Sequence, residues 1–420
     1  MKVFKFGGAS INTSERIVNT GEILKQHSGE KILVIISAMG KTTNALEKVV
    51  DAFFDGRSAD ALRLFEQVKQ THLQMLKYLI TINWQQAENQ LKDFFTEVEW
   101  LLHDKPVRNY DYYYDQVACS GELMSTSLVS NYFNEAGIKN TWIDVRDIIR
   151  TDDNFRDAGI DWNFTKEKIR SDIEPLFDEN DIVITQGFIG ATDENESTTL
   201  GREGSDFSAA IFANLLDAES QTIWKDVEGV MNADPKAFPD AQVITSLSYR
   251  EVVEMAYYGA QVIHPKTIKP LKNKNIPLYV RCFLDPKVPG TIISNKPVHG
   301  LPPIIVLKNN QVLMQLSSKD FSFVEEKPIS QLHEMFDHIR IRPNLSQNGA
   351  VSLVCCLDDQ PEKIDQLAAA ASEIFDVQLE KNLTLLTVRH YDQATIDRLT
   401  KGKTILLEQK TTETIQVLMR

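Results

Sequence analysis

Over roughly the first 295 residues, short apolar runs alternate with longer segments whose apolar positions recur every three or four residues. The runs are Val3–Phe6, Ile32–Ser37, Ile182–Gln186, Thr222–Trp224 and Leu278–Cys282. Most lack the in-and-out alternation of a half-exposed sheet, so they predict strands covered on both faces. Helical periodicity follows several of them, at Ser14–His27, Glu122–Glu135, Ser205–Leu216 and Ser248–Tyr257. Strand and helix in alternation predict an α/β domain with a largely parallel sheet over residues 1–295. Within it, Ala59–His103 contains no Gly or Pro and is rich in Leu, Phe and Gln. It predicts a helical insertion over 59–103, a hairpin broken near Thr81–Asn83 and packed onto the sheet domain.

The pattern changes at Lys296–Pro303, where Pro297, Gly300, Pro302 and Pro303 mark a linker. Beyond it, residues 304–420 predict strands at Val312–Leu316, Ala350–Leu357, Val377–Glu380 and Leu383–Arg389, with a final pair around Ile405–Gln409 and Thr414–Met419. Helices are predicted at Ile329–Asp337, Pro361–Ile374 and Gln393–Lys401. This is the signature of small α+β modules of ferredoxin-like character. No catalytic constellation falls there, so a binding, regulatory or dimerising role is expected.

A chain of 420 residues accommodates two domains. Its net charge of −14 argues against a general nucleic-acid or membrane-surface binder, although local cations can still receive an anionic ligand. No apolar run approaches a membrane span, and Met1–Phe6 lacks the features of a signal peptide. Cys119, Cys282, Cys355 and Cys356 show neither a CxxC pair nor zinc spacing, so no metal site is expected. Buried thiols in a reducing, cytoplasmic setting are the expectation.

The densest chemistry lies in Thr199–Ala210, where Gly201 and Gly204 bracket Arg202 and lead into Ser205, Asp206 and a run of small residues. That pattern predicts a tight loop feeding a helix, with Ser205 or Asp206 as N-cap, free N–H groups that favour anions, and a guanidinium able to grip a carboxylate or phosphate. Lys5-Phe-Gly-Gly-Ala-Ser10 closes the first strand with a phosphate-cradle composition. Gly40-Lys41-Thr42 resembles the end of a P-loop, but Ile35 occupies the position of that motif's first glycine, and no G-x-G-x-x-G fingerprint occurs. Ser37–Asn44 reads instead as a second polar loop at the C-terminal end of a strand, where open α/β sheets bind ligands. His333 and His338 are five apart and cannot share a helix face, so they are no zinc signature. His264 is expected to be structural. Ser120-Gly-Glu122 is expected to begin a helix, with Glu122 in its first turn. Trp224–Gly229 and Asn232–Pro235 form a polar loop suited to a base and ribose or to turns alone.

Taken together and in order, Lys5–Ser10, Ser37–Leu46, Ser120–Ser125, Gln186–Gly190, Gly201–Ala210, Trp224–Pro235 and Gly259–Pro265 make the chain resemble the aspartate kinases of the amino acid kinase superfamily. The resemblance spans nearly all of residues 1–295. It implies an amino acid kinase-like α/β sandwich with a helical insertion, followed by a C-terminal α+β ACT-like region. It also implies transfer of the γ-phosphoryl of MgATP to the β-carboxylate of L-aspartate, a step of lysine, threonine and methionine biosynthesis, with ATP and Mg2+ as cofactors.

Carried over by position, Lys5 with Gly7, Gly8 and Ser10 would hold the ATP phosphates, and Lys225, Asp226, Met231 and Gln261 would complete the nucleotide site. Ser37, Thr43 and Ser205 would line the substrate loop, Arg202 would clamp a carboxylate of aspartate and Glu122 would receive its ammonium. Lys5 and Asp206 would be the catalytic pair.

Two positions depart from the family pattern. Gln261 stands where a lysine is usual, so Lys225 or Lys266 would have to supply the charge, and Glu203 stands where glycine is usual, placing a carboxylate beside Arg202. The family also implies a homodimer formed through tandem ACT domains with lysine or threonine as effector. Here Ser317–Glu326 replaces the usual glycine-containing effector loop, and the tail is short for two full repeats. A kinase of another acidic amino acid, such as glutamate or acetylglutamate, and a catalytically silent amino-acid sensor remain alternatives. Because the chain ends at Arg420 without a dinucleotide-binding segment, fusion to homoserine dehydrogenase is not expected.

Overall fold

The computed structural model describes residues 1–320, 323 and 326–420. β1 (Lys2–Phe6) is followed by α1 (Ser14–Lys25), β2 (Ile32–Ile36) and α2 (Thr42–Phe54). Three long helices come next: α3 (Ser58–Leu79), α4 (Trp84–His103) and α5 (Tyr110–Glu135). Then follow β3 (Asn140–Trp142), α6 (Trp162–Lys168), β4 (Ile182–Gln186), β5 (Ile189–Ala191), β6 (Ser197–Thr199), α7 (Gly204–Leu215) and β7 (Ser220–Lys225). β8 (Val230–Met231), β9 (Val243–Ile244), β10 (Ser246–Ser248), α8 (Tyr249–Tyr257), α9 (Pro265–Lys274), β11 (Leu278–Cys282) and β12 (Thr291–Ser294) lead to the linker.

The chain divides into two units. The first comprises Met1–Val230, Val243–Val253 and Gln261–Val298, and the second Met231–Gln242, Glu254–Ala260 and His299–Arg420. The first unit is built on an eight-stranded sheet in the order β10-β12-β11-β7-β1-β2-β4-β3. All neighbours run parallel except β11 and β12. Every residue of β2 and β4 is buried, which explains why these strands read as unbroken apolar runs. Against one face lies a core in which Phe53 of α2, Phe65 of α3, Leu91 and Phe95 of α4 and Val117 of α5 are all buried. The tip between α3 and α4 is held by Glu135, whose carboxylate accepts the N–H groups of Thr81, Ile82 and Asn83 at 2.8, 3.1 and 3.2 Å. No helix among the described residues is long and apolar enough to cross a membrane.

The second unit contains β13 (Ile304–Ser318), α10 (Glu326–Ile339), β14 (Leu345–Asn348), β15 (Ser352–Asp358), α11 (Pro361–Ala371), β16 (Phe375–Arg389), α12 (Gln393–Thr400), β17 (Ile405–Lys410) and β18 (Thr414–Met419). They form an antiparallel sheet in the order β14-β15-β13-β16-β18-β17. Two strands are longer than their apolar pattern predicts. Val312–Leu316 is only the middle of β13, and the segments Val377–Glu380 and Leu383–Arg389 are one strand, β16. The polar Asn310 and Asn382, which interrupt the sequence pattern, adopt left-handed φ angles of 54° and 62° without ending their strands.

β13 and β16 therefore run through two ferredoxin-like halves. Gln311–Ser317 pairs with β15, while Ile304–Lys308 pairs with Leu385–Arg389. α10 and α11 cover the first half through Leu332, Phe336, Ile364 and Leu367, and α12 packs Ile396 with Leu386, Val388 and Val417 of the second. Sharing two strands is how a short tail accommodates both halves. Of the segment Ser317–Glu326 singled out as the effector-loop position, Phe321, Ser322, Val324 and Glu325 lie outside the described residues. His333 and His338 are both exposed on α10, whose buried face carries Leu332 and Phe336.

Candidate active site

The C-terminal ends of the central parallel strands open into a cleft of about 620 Å³. It is lined by Lys5, Gly8, Ser37, Thr43, Glu122, Arg202, Ser205, Asp206 and Lys225, together with Tyr114, Arg156, Phe188 and Thr199. Nine of the sequence-derived site residues thus share one cavity.

Sheet register explains the cationic wall. Lys5 lies opposite Ile223, so Lys225, two residues further along β7, faces the same side. α7 crosses that face and puts Asp206 against Lys5, with Nζ and Oδ1 2.7 Å apart and both side chains largely buried. Burial pushes the Asp206 carboxyl up, but the charges of Lys5 and then Lys225 outweigh it and hold the group below its ordinary range. Lys225 Nζ is anchored by the Val262 carbonyl at 3.0 Å.

Two loops form the floor. Gly40 N–H donates to the Gly8 carbonyl at 3.1 Å, and a Cβ on Gly8 would lie 2.5 Å from the Ala38 oxygen. Only glycine lets the loop after β1 nest against the loop after β2. That second loop is shorter than its polar sequence suggests, because α2 already begins at Thr42, leaving Thr43 in its first turn.

α7 starts differently from its sequence expectation. Its N-cap is Glu203, in a left-handed conformation with φ 55°, and Ser205 and Asp206 lie inside the first turn. Neither caps the helix, so Asp206 is free to face Lys5. The Glu203 carboxylate accepts the His264 N–H at 2.8 Å, turned to the start of α9 rather than to Arg202. His264 is the N-cap of α9, its Nδ1 accepting from Lys266 N–H at 3.2 Å. Arg202 is exposed at the cleft rim and has no ion-pair or hydrogen-bond partner among the described residues.

Glu122 also departs from expectation. α5 begins at Tyr110, capped by Asn109, so Glu122 sits in mid-helix and receives no help from a helix N-terminus. The middle of α5, Val117–Ser130, is buried on all sides, which removes the helical period from its sequence. Ser125, one turn on, donates to the Ser37 carbonyl at 2.8 Å and fixes Glu122 beside the loop after β2. Glu122 is 2% exposed and its Oε2 has no partner. Burial raises its pKa to about 8, against hydrogen bonding from the Ala38 backbone and the charge of Lys5.

The remaining candidates lie outside the lining. Ser10 Oγ donates to the Trp224 carbonyl at 3.4 Å, a structural bond between β1 and β7 ends. Gly7 follows Lys5 closely, while Asp226 and Gln261 are exposed and Met231 belongs to the second unit. Lys266 is engaged by Asp157, which leaves Lys225 as the cleft's second lysine. Among the described residues no group of three or more His, Cys, Asp or Glu could hold a metal. Tyr114 and Arg156 carried no sequence signal, since each becomes a cleft residue only through the packing of α5 against the 152–159 loop.

The model of the amino acid kinase family matches residues 1–282. Lysine-sensitive aspartokinase 3 of Escherichia coli is 33% identical over 320 residues, 75% of this chain and 69% of that protein. Bifunctional aspartokinase/homoserine dehydrogenase 1 of Zea mays is 33% identical over 302 residues, 71% of this chain. The match spans only 32% of that protein, so the chain covers about a third of such bifunctional relatives. The crystal structure of E. coli aspartokinase III with aspartate and ADP, in its R-state, superposes with a TM-score of 0.83 at 26% identity, covering 100% of this chain and 96% of that one.

Proposed function

The chain belongs to the amino acid kinase family, in its aspartokinase branch, and on that footing we propose that it phosphorylates the β-carboxylate of L-aspartate with MgATP. The observation that carries this reading is the pairing of a buried, unpartnered carboxylate oxygen on Glu122 with an unengaged guanidinium on Arg202 in one cleft. An amino acid needs one anion for its ammonium and one cation for a carboxylate, and this cleft offers both beside a two-lysine phosphate wall.

In this mechanism Glu122 binds the ammonium and Arg202 a carboxylate, with Ser37, Thr43 and Ser205 lining the pocket. The β-carboxylate is already an anion at neutral pH, so its oxygen attacks the γ-phosphorus without a general base. A new O–P bond forms as the bond to the ADP oxygen breaks, giving 4-phospho-L-aspartate and ADP. Lys5, held by Asp206, neutralises charge on the migrating group, and the Gly7–Gly8 backbone and Lys225 cradle the phosphates. Mg2+ would enter as part of the MgATP substrate and would supply charge neutralisation on the phosphates beside Lys5 and Lys225. Asp226 and Gln261 lie on the segments of the first unit that this reading gives to the base and ribose.

The second unit is, in this reading, the regulatory and dimerising part. Its edge strands β14 and β17, each paired on one side only among the described residues, and its ferredoxin-like halves support an ACT-like role, with lysine or threonine as effector. Four buried free thiols accord with a reducing cytoplasm.

The test is hydroxylamine trapping of acyl phosphate with MgATP and L-aspartate, run beside L-glutamate and N-acetylglutamate and repeated with lysine or threonine. Aspartate-dependent hydroxamate supports the reading. Signal with another acceptor only, or none from folded protein that binds ATP, overturns it.

A further inference from the structure

Arg156 is the one arginine of the cleft besides Arg202, and nothing in the proposed chemistry uses it. Its backbone sits at φ 67°, in the left-handed region where a Cβ crowds the backbone and non-glycine residues are uncommon. The conformation is imposed by Asp115, a fully buried residue of α5. One carboxylate oxygen of Asp115 accepts Arg156 N–H at 2.9 Å and Thr199 N–H at 2.8 Å, and the other accepts Thr199 Oγ1 at 2.7 Å. Three bonds from one buried carboxylate thus fix both Arg156 and Thr199, a second cleft residue, at the wall formed by α5.

The side chain is aimed but lightly held. Its guanidinium carbon lies 4.2 Å from the centre of the Tyr114 ring, which also lines the cleft. Its nitrogens reach Glu47 and Asp111 only at 3.5 Å, the outer limit of a hydrogen bond, and all three side chains are more than two-fifths exposed. Stacking orients the planar fork while leaving its in-plane donors without a strong partner. A better anion in the cleft can take them from two solvated carboxylates.

Position decides which anion. Tyr114 and Glu122 both face the cleft from α5, two turns apart, or roughly 12 Å along the axis. That is about the span of a glutamate side chain with an amino dicarboxylate bound end to end. The phosphate cradle, by contrast, is built by Lys5, Gly8 and Lys225 at the strand ends. We propose that Arg156 is a specificity-determining residue that contacts a carboxylate of the amino-acid substrate, so that a dicarboxylate is gripped by two arginines rather than one. This rests on the assignment of the cleft to an acidic amino acid.

The experiment is steady-state kinetics of Arg156→Gly and Arg156→Lys with MgATP and L-aspartate, alongside thermal melting. Glycine adopts φ 67° without strain and keeps the N–H bonded to Asp115, so the fold is retained and the melting temperature is unchanged or higher. With Arg156→Gly, KM for aspartate rises roughly tenfold, while kcat and KM for ATP stay within about twofold. Arg156→Lys restores part of the loss. An unchanged aspartate KM in a folded Arg156→Gly protein overturns the inference, as does a rise confined to ATP, which would make Arg156 a phosphate contact. Wild-type protein inactive with aspartate would instead overturn the assignment of the cleft, a result visible before any variant is measured.

Discussion

The carboxylate of Glu203 accepts the backbone N–H of His264 at 2.8 Å, tying the loop that carries Arg202 to the N-cap of α9. Two further bonds hold the same segment: the cleft residue Lys225 donates to the Val262 carbonyl, and Lys266 pairs with Asp157, next to Arg156 in the chain. Glu203 is therefore no competitor for Arg202. It is a strut between the amino-acid loop and the 261–266 segment.

Removing the strut is expected to loosen that segment. In Glu203→Gly the left-handed backbone relaxes, recovering about 1 kcal/mol, but a charge-assisted hydrogen bond of roughly 1.5–3 kcal/mol is lost. Net stability falls by about 1 kcal/mol in denaturant titration. ATP affinity weakens several-fold as Lys225 loses its fixed anchor, whereas Glu203→Gln keeps an acceptor and changes less. Equal ATP KM values for wild type and Glu203→Gly would show that the strut does not reach the nucleotide.

Glu122 predicts a pH dependence. Burial raises its pKa to about 8, yet the ammonium of aspartate is bound by the ionised form. KM for aspartate should fall as pH rises toward 8, with a slope approaching tenfold per unit at low pH. Stability runs the other way. Between about 4.5 and 8 the folded state holds a proton that the unfolded chain has released, so the unliganded protein loses stability as pH rises through that window. Glu122→Gln removes both trends, and melting curves with and without aspartate at pH 6 and 8 measure them.

Lys5 and Asp206 form the buried pair of the cleft. Lys5→Met leaves the Asp206 carboxylate with only Lys225 nearby, a loss toward the lower end of roughly 3–5 kcal/mol. Adding Asp206→Asn recovers most of that stability without restoring phosphoryl transfer. A double variant as unstable as Lys5→Met would mean that the loss came from packing rather than charge.

Gly8→Ala tests the floor. Its Cβ would meet backbone oxygens of Ala38 at 2.5 Å and Gly40 at 2.9 Å, atoms that cannot rotate away. One of the two loops must shift, costing about 1–3 kcal/mol, and ATP KM rises far more than aspartate KM. An ATP KM equal to wild type would remove this loop from the phosphate site.

Arg202→Ala and Gln261→Lys should separate the two substrates. Arg202 has no described protein partner to lose, so its removal weakens aspartate use while leaving melting and ATP KM near wild type. Gln261 is exposed and outside the cleft lining, so a lysine there tightens ATP binding slightly or not at all. A large loss of ATP affinity would reveal a specific contact made by the amide.

What the sequence determined by itself was local. Buried parallel strands declare themselves as apolar runs, and glycine turns mark where ligands approach, with Lys5 at the end of β1, Arg202 in the loop before α7 and Asp206 in that helix's first turn. Each of these follows from neighbours a few residues away. The placement of Glu122 in mid-helix did not, because a helix buried on most sides loses its period. Nor did the start of α7, where Glu203 takes a left-handed N-cap conformation while its carboxylate reaches the His264 N–H, sixty-one residues on. Arg156 and Tyr114 were invisible for the same reason: the buried carboxylate of Asp115 on α5 sets a loop 41 residues away. Charge state followed suit, since the raised pKa of Glu122 and the lowered one of Asp206 are properties of burial and of lysines brought near by sheet register. Residue type fixes what a side chain can do, and tertiary structure decides which partners and how much water it meets.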